Sequence, residues 1–221
     1  MRDDYLNRQI IERVLSSVRA LFPMDGSGHG FDHVLRVYHM ATRIAEEEGC
    51  DVFIVSLAAL LHDVGDHKLT ADGNENHRNA IFALLNETGV TDDQTHQIID
   101  IVEKVSFKGN GVDDAPMSAE GCCVRDADRL DAMGSIGIAR AFAYGALKGR
   151  PMFDDGQKPA LHENFSDYKN SKSHTINHFY EKLLLLKDRM ETDAGKRLAQ
   201  GRHAMLEAFL SEFLLEWKAQ K

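Results

Sequence analysis

Asp51-Val52-Phe53-Ile54-Val55-Ser56-Leu57-Ala58-Ala59-Leu60-Leu61-His62-Asp63 is the stretch whose reading decides the fold. Between Asp51 and His62 every residue except Ser56 is apolar. Asp51 can cap a helix that runs into His62, because its carboxylate suits the open backbone N–H groups of a first helical turn. A helix that is apolar almost all round belongs at the centre of a bundle. At its end an unpaired Asp63 would be costly to bury, so the adjacent His62 and Asp63 need partners. His33 lies upstream and Asp128 downstream. Two imidazoles and two carboxylates from separate parts of the chain can close round one divalent cation. That pattern points to metal-assisted hydrolysis of phosphate esters.

Outward from this helix, apolar residues recur at three and four. The period predicts helices over 4–21 and 31–48 before the central one, and over 75–87 and 92–105 after it. Thr91 and Gln94 are spaced as a capping box for the last of these. Residues 118–147 read as two helical pieces, the first carrying Asp128 and the second rich in small residues such as Gly134 and Gly137. Helices over 174–190 and 193–218 close the chain. No strand pattern, repeat or composition shift divides it, so the expectation is a single all-α domain over 1–221 with the metal site between central helices. Residues 148–173 show no period. A stretch of this kind is a functional loop or a disordered one. Its Lys148, Arg150, Lys158, Lys169 and Lys172 would suit a lid over an anionic substrate, and they suit a plain surface loop equally well.

Composition narrows the function. The 221 residues are 43% hydrophobic, enough to build a core. A net charge of -9 argues against general binding to nucleic acid or anionic membrane. It leaves small phosphorylated substrates open, since a cation and a few local Lys or Arg reverse the sign inside a pocket. Cys50, Cys122 and Cys123 form neither a disulfide framework nor a CxxC, which reads as reduced thiols in a cytoplasmic protein. The N-terminus lacks an apolar signal core, and no segment approaches a membrane span.

Taken singly, each candidate ligand has an ordinary alternative. His33 could simply sit at a helix start. Asp63 could pair with a nearby Lys or Arg. Asp128, in Arg125-Asp126-Ala127-Asp128-Arg129-Leu130-Asp131, could belong to a solvated face of ion pairs spaced three and four apart.

Together the segments resemble a family. Gly28-His29-Gly30-Phe31-Asp32-His33-Val34-Leu35-Arg36-Val37, followed by Leu60-Leu61-His62-Asp63-Val64-Gly65-Asp66-His67-Lys68, resembles the HD-domain superfamily of metal-dependent phosphohydrolases. Asp126-Ala127-Asp128-Arg129-Leu130-Asp131-Ala132-Met133-Gly134 resembles a downstream segment of its small stand-alone bacterial branch, as do His178-Phe179-Tyr180-Glu181-Lys182 and Met190-Glu191-Thr192. The resemblance implies an HD-type helical bundle in which His33, His62, Asp63 and Asp128 are the metal ligands. It selects Asp128, the aspartate after Ala127, over Asp126 and Asp131.

Mixed nitrogen and oxygen ligation suits Mn²⁺, Fe²⁺, Co²⁺, Ni²⁺ or Zn²⁺ better than Mg²⁺. Asp66, three residues past Asp63, is the first candidate for moving protons, though it reads equally as a helix-ending aspartate. His29 is a second candidate beside the site. Lys68, Arg129, His178 and Lys182 are candidates for holding substrate anions. His77 and His96 would make the site binuclear if they reached the same ion.

The branch implies a hydrolase of nucleoside or deoxynucleoside triphosphates that releases phosphate or pyrophosphate; the sequence leaves monomer and homodimer both open. Alternatives are a phosphomonoesterase, a cyclic-nucleotide phosphodiesterase, or a sensor that binds a nucleotide without turning it over. No Gly-Tyr-Pro occurs, which disfavours the cyclic-dinucleotide enzymes. No HExxH, GxxxxGK[ST] or GxSxG motif supports another hydrolytic class.

Overall fold

Asp51 caps the central helix as its sequence predicts. Its carboxylate accepts from the backbone N–H of Phe53 at 2.9 Å and of Ile54 at 3.3 Å. The computed structural model describes residues 2–22, 28–64, 74–106, 112–160 and 173–221, and among these there is no strand. The chain is all-α, and its helices follow in the order α1 Arg2–Leu21, α2 Phe31–Glu48, α3 Val52–Leu61, α4 Asn74–Asn86, α5 Asp92–Val105, α6 Ala119–Asp131, α7 Gly134–Leu147 and α8 Thr175–Glu181. A 3₁₀ helix, Leu183–Arg189, then precedes the long α9, Asp193–Trp217. None of the described helices is long and apolar enough to cross a membrane.

The helices gather into two compact units. The first holds α1 to α5 and α6 as far as Ala127. Here α3 packs against α1, α2 and α5, while α4 lies on α5 and α1. The pattern of α3 explains its place. Phe53 through Leu61 are all buried, so the helix has no face to offer water. The α5 capping box is present: Gln94 N–H donates to the Thr91 hydroxyl at 3.3 Å, and Thr91 N–H donates to the Gln94 side chain at 3.1 Å. Leu57 is fully buried at the middle of α3. Leu57→Ala should therefore cost about 2–5 kcal/mol, read as a lower denaturation midpoint. An unchanged midpoint would show that α3 is not the core element.

The second unit contains Asp128 onward, with Gly28 and residues 112–115. In it α9 packs against α7 and the 3₁₀ helix, and α8 packs against the same two elements. Its core is aromatic. Phe179 is fully buried and stacks on Phe209 with ring centres 5.6 Å apart, and Phe142 meets Phe179, Phe209 and Phe213. The small residues of α7 have a packing reason: a Cβ on Gly137 would lie 2.2 Å from the Ala132 carbonyl oxygen.

One predicted helix divides. Residues 174–190 form α8 and then the 3₁₀ helix, because Lys182 leaves helical geometry with φ -142 and ψ -61. Residues 151–160 are irregular, as expected, but the lid expectation for 148–173 also rests on 161–172, which lie outside the described residues.

Candidate metal centre

Two helix ends place the histidines. The chain enters α2 through Gly30, and His33 falls in the first turn, 1% exposed. At the other end of the apolar helix, His62 follows Leu61 as the C-cap, 3% exposed. His62 Nδ1 lies 2.8 Å from the carbonyl oxygen of Ala59. A last-turn carbonyl has no helical partner and can only accept, so the proton sits on Nδ1. The lone pair of His62 is therefore on Nε2. That atom faces His33 Nε2 at 3.2 Å, with the rings edge to face at 5.2 Å between centres.

Asp63 joins them from the turn after His62. Its Oδ2 is 3.4 Å from His33 Nε2 and 3.5 Å from His62 Nε2, and the side chain is 17% exposed. Asp128 comes from α6, one residue beyond Ala127 on the same continuous helix. One ligand atom each from His33, His62 and Asp128 lie within 4.8 Å of one another. Asp63 is not in that group of three but touches both imidazoles. Adjacent donors on an octahedral ion with bonds near 2.1 Å stand roughly 3 Å apart. The His33, His62 and Asp63 donor atoms, 3.2–3.5 Å apart, thus fit a divalent ion in both type and spacing, and Asp128 lies within reach of the same group.

The remaining candidates divide. The His29 ring lies edge to face with His33, 6.0 Å between centres, so it reaches the edge of this group. Asp66 and Lys68 lie outside the described residues, as does the side chain of His77. His96 is exposed on α5. Arg129 is 3% exposed and turned toward protein groups: it donates to the Arg189 carbonyl and pairs with Asp114 at 2.6 Å. Arg189 meets Asp114 as well, at 3.2 Å, so a single carboxylate ties both guanidinium groups. His178 and Lys182 share one end of α8. Burial first, then the charges of Lys182 and Arg150, push the His178 imidazole down to about 3. His178 is accordingly neutral at pH 7 and offers a hydrogen bond rather than a charge.

The charged run of α6 is not a solvated face. Arg125, Asp126, Arg129 and Asp131 are all buried. Arg125 donates to the Lys104 carbonyl at 3.0 Å, and Arg140 pairs with Asp131 at 2.8 Å. These partners are remote in sequence, so three- and four-residue spacing cannot reveal them. Asp114 and Arg140 were missed for that reason. The only local signal for Asp114 is the carboxylate pair Asp113-Asp114 shortly before Pro116.

Comparison with known proteins agrees with this frame. A family model described as the HD domain matches residues 30–133, which include all four candidate ligands. A solved structure from Lactobacillus plantarum is 36% identical, covers 96% of this chain and 98% of its own, and superposes with a TM-score of 0.84. An HD-superfamily hydrolase of Bacillus thuringiensis is 38% identical over 96% of this chain and 99% of its own, with a TM-score of 0.76. Bacillus subtilis YpgQ is 37% identical over 91% of this chain and 90% of its own length. Its structure in complex with ADP has a TM-score of 0.74 over 94% of this chain and 95% of that one. Relatives that match almost end to end, on a helical frame whose buried histidines meet beside a His-Asp pair, make this chain a member of the HD-domain family and its fold that of the HD-superfamily hydrolases.

Proposed function

We propose that this chain is a metal-dependent phosphohydrolase whose substrate is a small phosphorylated metabolite, foremost a nucleoside or deoxynucleoside triphosphate. One observation carries the reading: His33 Nε2, His62 Nε2 and Asp63 Oδ2 meet within 3.2–3.5 Å, with the His62 lone pair aimed inward. Two imidazole nitrogens and a carboxylate oxygen brought together in this way suit a divalent cation. His33, His62, Asp63 and Asp128 would hold it, with Mn²⁺, Fe²⁺, Co²⁺, Ni²⁺ or Zn²⁺ preferred to Mg²⁺ by the nitrogen ligands. When bound, such an ion supplies Lewis acidity toward water and phosphoryl oxygen.

The chain's own residues do the rest. The Ala59 carbonyl holds the His62 ring in one tautomer and one orientation. Asp66 takes a proton from the attacking water, and His29 stands beside His33 as a second group able to move one. Lys68 and Lys182 carry charge toward the phosphates. His178 donates or accepts a hydrogen bond without charge. Arg129 adjoins Asp128, and its ties to Asp114 and Arg189 fix the backbone on which Asp128 stands. The ADP bound by YpgQ supports a nucleotide as the ligand class. The free thiols Cys50, Cys122 and Cys123 fit a cytoplasmic location.

The test is a panel of ribo- and deoxyribonucleoside triphosphates with added Mn²⁺, with phosphate and pyrophosphate quantified separately. Metal-dependent release of one or the other is expected. Binding without release would make the chain a nucleotide sensor. Neither binding nor release with any of the five ions would overturn the reading.

A further inference from the structure

Cys50 and Cys123 lie far apart in sequence, yet their sulfur atoms are 3.7 Å apart. Both belong to the first compact unit. The position of Cys50 is fixed by the end of α2. Gly49 turns into the left-handed region at φ 72, and Cys50 N–H donates to the Ala45 carbonyl at 3.0 Å, closing the helix in a Schellman-type turn. Asp51 then caps α3, so Cys50 is the corner residue between two helices. Cys123 is fully buried on α6, whereas Cys50 is half-buried.

We propose that Cys50 and Cys123 are a reversible modification site: a dithiol that a peroxide converts to a disulfide, stapling the α2–α3 corner to α6. The chemistry follows from the exposures. Cys50 meets solvent, so its thiolate attacks a peroxide oxygen; the O–O bond breaks, and Cys50 sulfenic acid and one water form. The Cys123 sulfur then attacks the Cys50 sulfur. The S–O bond breaks, and the hydroxyl leaves with the Cys123 proton as a second water. Two thiols and one hydrogen peroxide thus give one disulfide and two waters, and a dithiol reductant reverses the change. Burial holds the Cys123 thiol well above the ordinary cysteine range, with Cys50, Glu48 and Asp126 adding to the effect, so Cys123 stays protonated and leaves the first step to Cys50.

The staple would join the three elements that bear the metal centre. His33 is on α2, His62 and Asp63 end α3, and Asp128 is on α6. Joining residues so far apart in sequence constrains the unfolded chain strongly, and the oxidised protein should melt roughly 5–15 °C higher than the reduced one.

The test treats the whole protein with hydrogen peroxide, maps cross-linked peptides without reductant and compares melting midpoints before and after. A Cys50–Cys123 peptide is expected in the wild type and in Cys122→Ser, and its loss in Cys50→Ser. Cys50 is half-buried, so the serine variant should keep the fold if a Cys123 variant does not. Three intact thiols under excess peroxide, a cross-link through Cys122 instead, or an oxidised form that melts no higher would each overturn the proposal.

Discussion

Asp63→Ala is expected to strip the protein of its divalent ion and to abolish hydrolysis. The Asp63 carboxylate touches both imidazoles, at 3.4 and 3.5 Å, and brings the negative charge that a divalent ion needs beside two nitrogen donors. Loss of a mere supporting partner of a ligand costs 10–100-fold in metal affinity or activity, so loss of a ligand should cost more than about 100-fold. The side chain sits in the turn after α3 rather than in the core, which makes a folding defect the lesser effect. Metal content by elemental analysis, beside an unchanged far-ultraviolet spectrum, is the measurement. Unaltered stoichiometry in the variant would remove Asp63 from the ligand set.

Asp66→Asn should separate chemistry from metal binding. Asp66 follows Asp63 by three residues in the sequence. A carboxylate beside a cation stays ionised at neutral pH and can take the proton that the nucleophile sheds. The amide keeps the shape and removes the basicity. Turnover should fall about 10²–10⁴-fold at full metal occupancy. Near-normal turnover with the metal retained would shift the proton to His29.

The helical frame was legible because it is carried by local signals. Helix α2 is bounded by Gly30 and Gly49, and α5 by the Thr91–Gln94 box; both helices fall at their predicted residues. The 174–190 segment was read as one helix because its apolar run fits an α-helix and a 3₁₀ helix alike. Only the backbone of Lys182 distinguishes them. The His62-Asp63 pair announced itself by following a run with no polar face. The surroundings of Asp128 did not. Arg125, Arg129 and Asp131 look solvated by spacing, and they are buried on Lys104, Asp114, Arg189 and Arg140, partners that no window of seven residues contains. The thiol pair was invisible for the same reason, since Cys50 and Cys123 meet only after the α2–α3 corner is built.

Glu181 has a use beyond its own helix. It is 5% exposed, and one of its oxygens accepts from Ala160 N–H at 3.0 Å and from the Ser173 hydroxyl at 3.2 Å. Residues 160 and 173, thirteen apart in sequence, are thereby held to one buried carboxylate oxygen. Glu181→Ala would therefore release both positions at once, and the Ala160 amide should exchange its hydrogen with solvent faster in the variant.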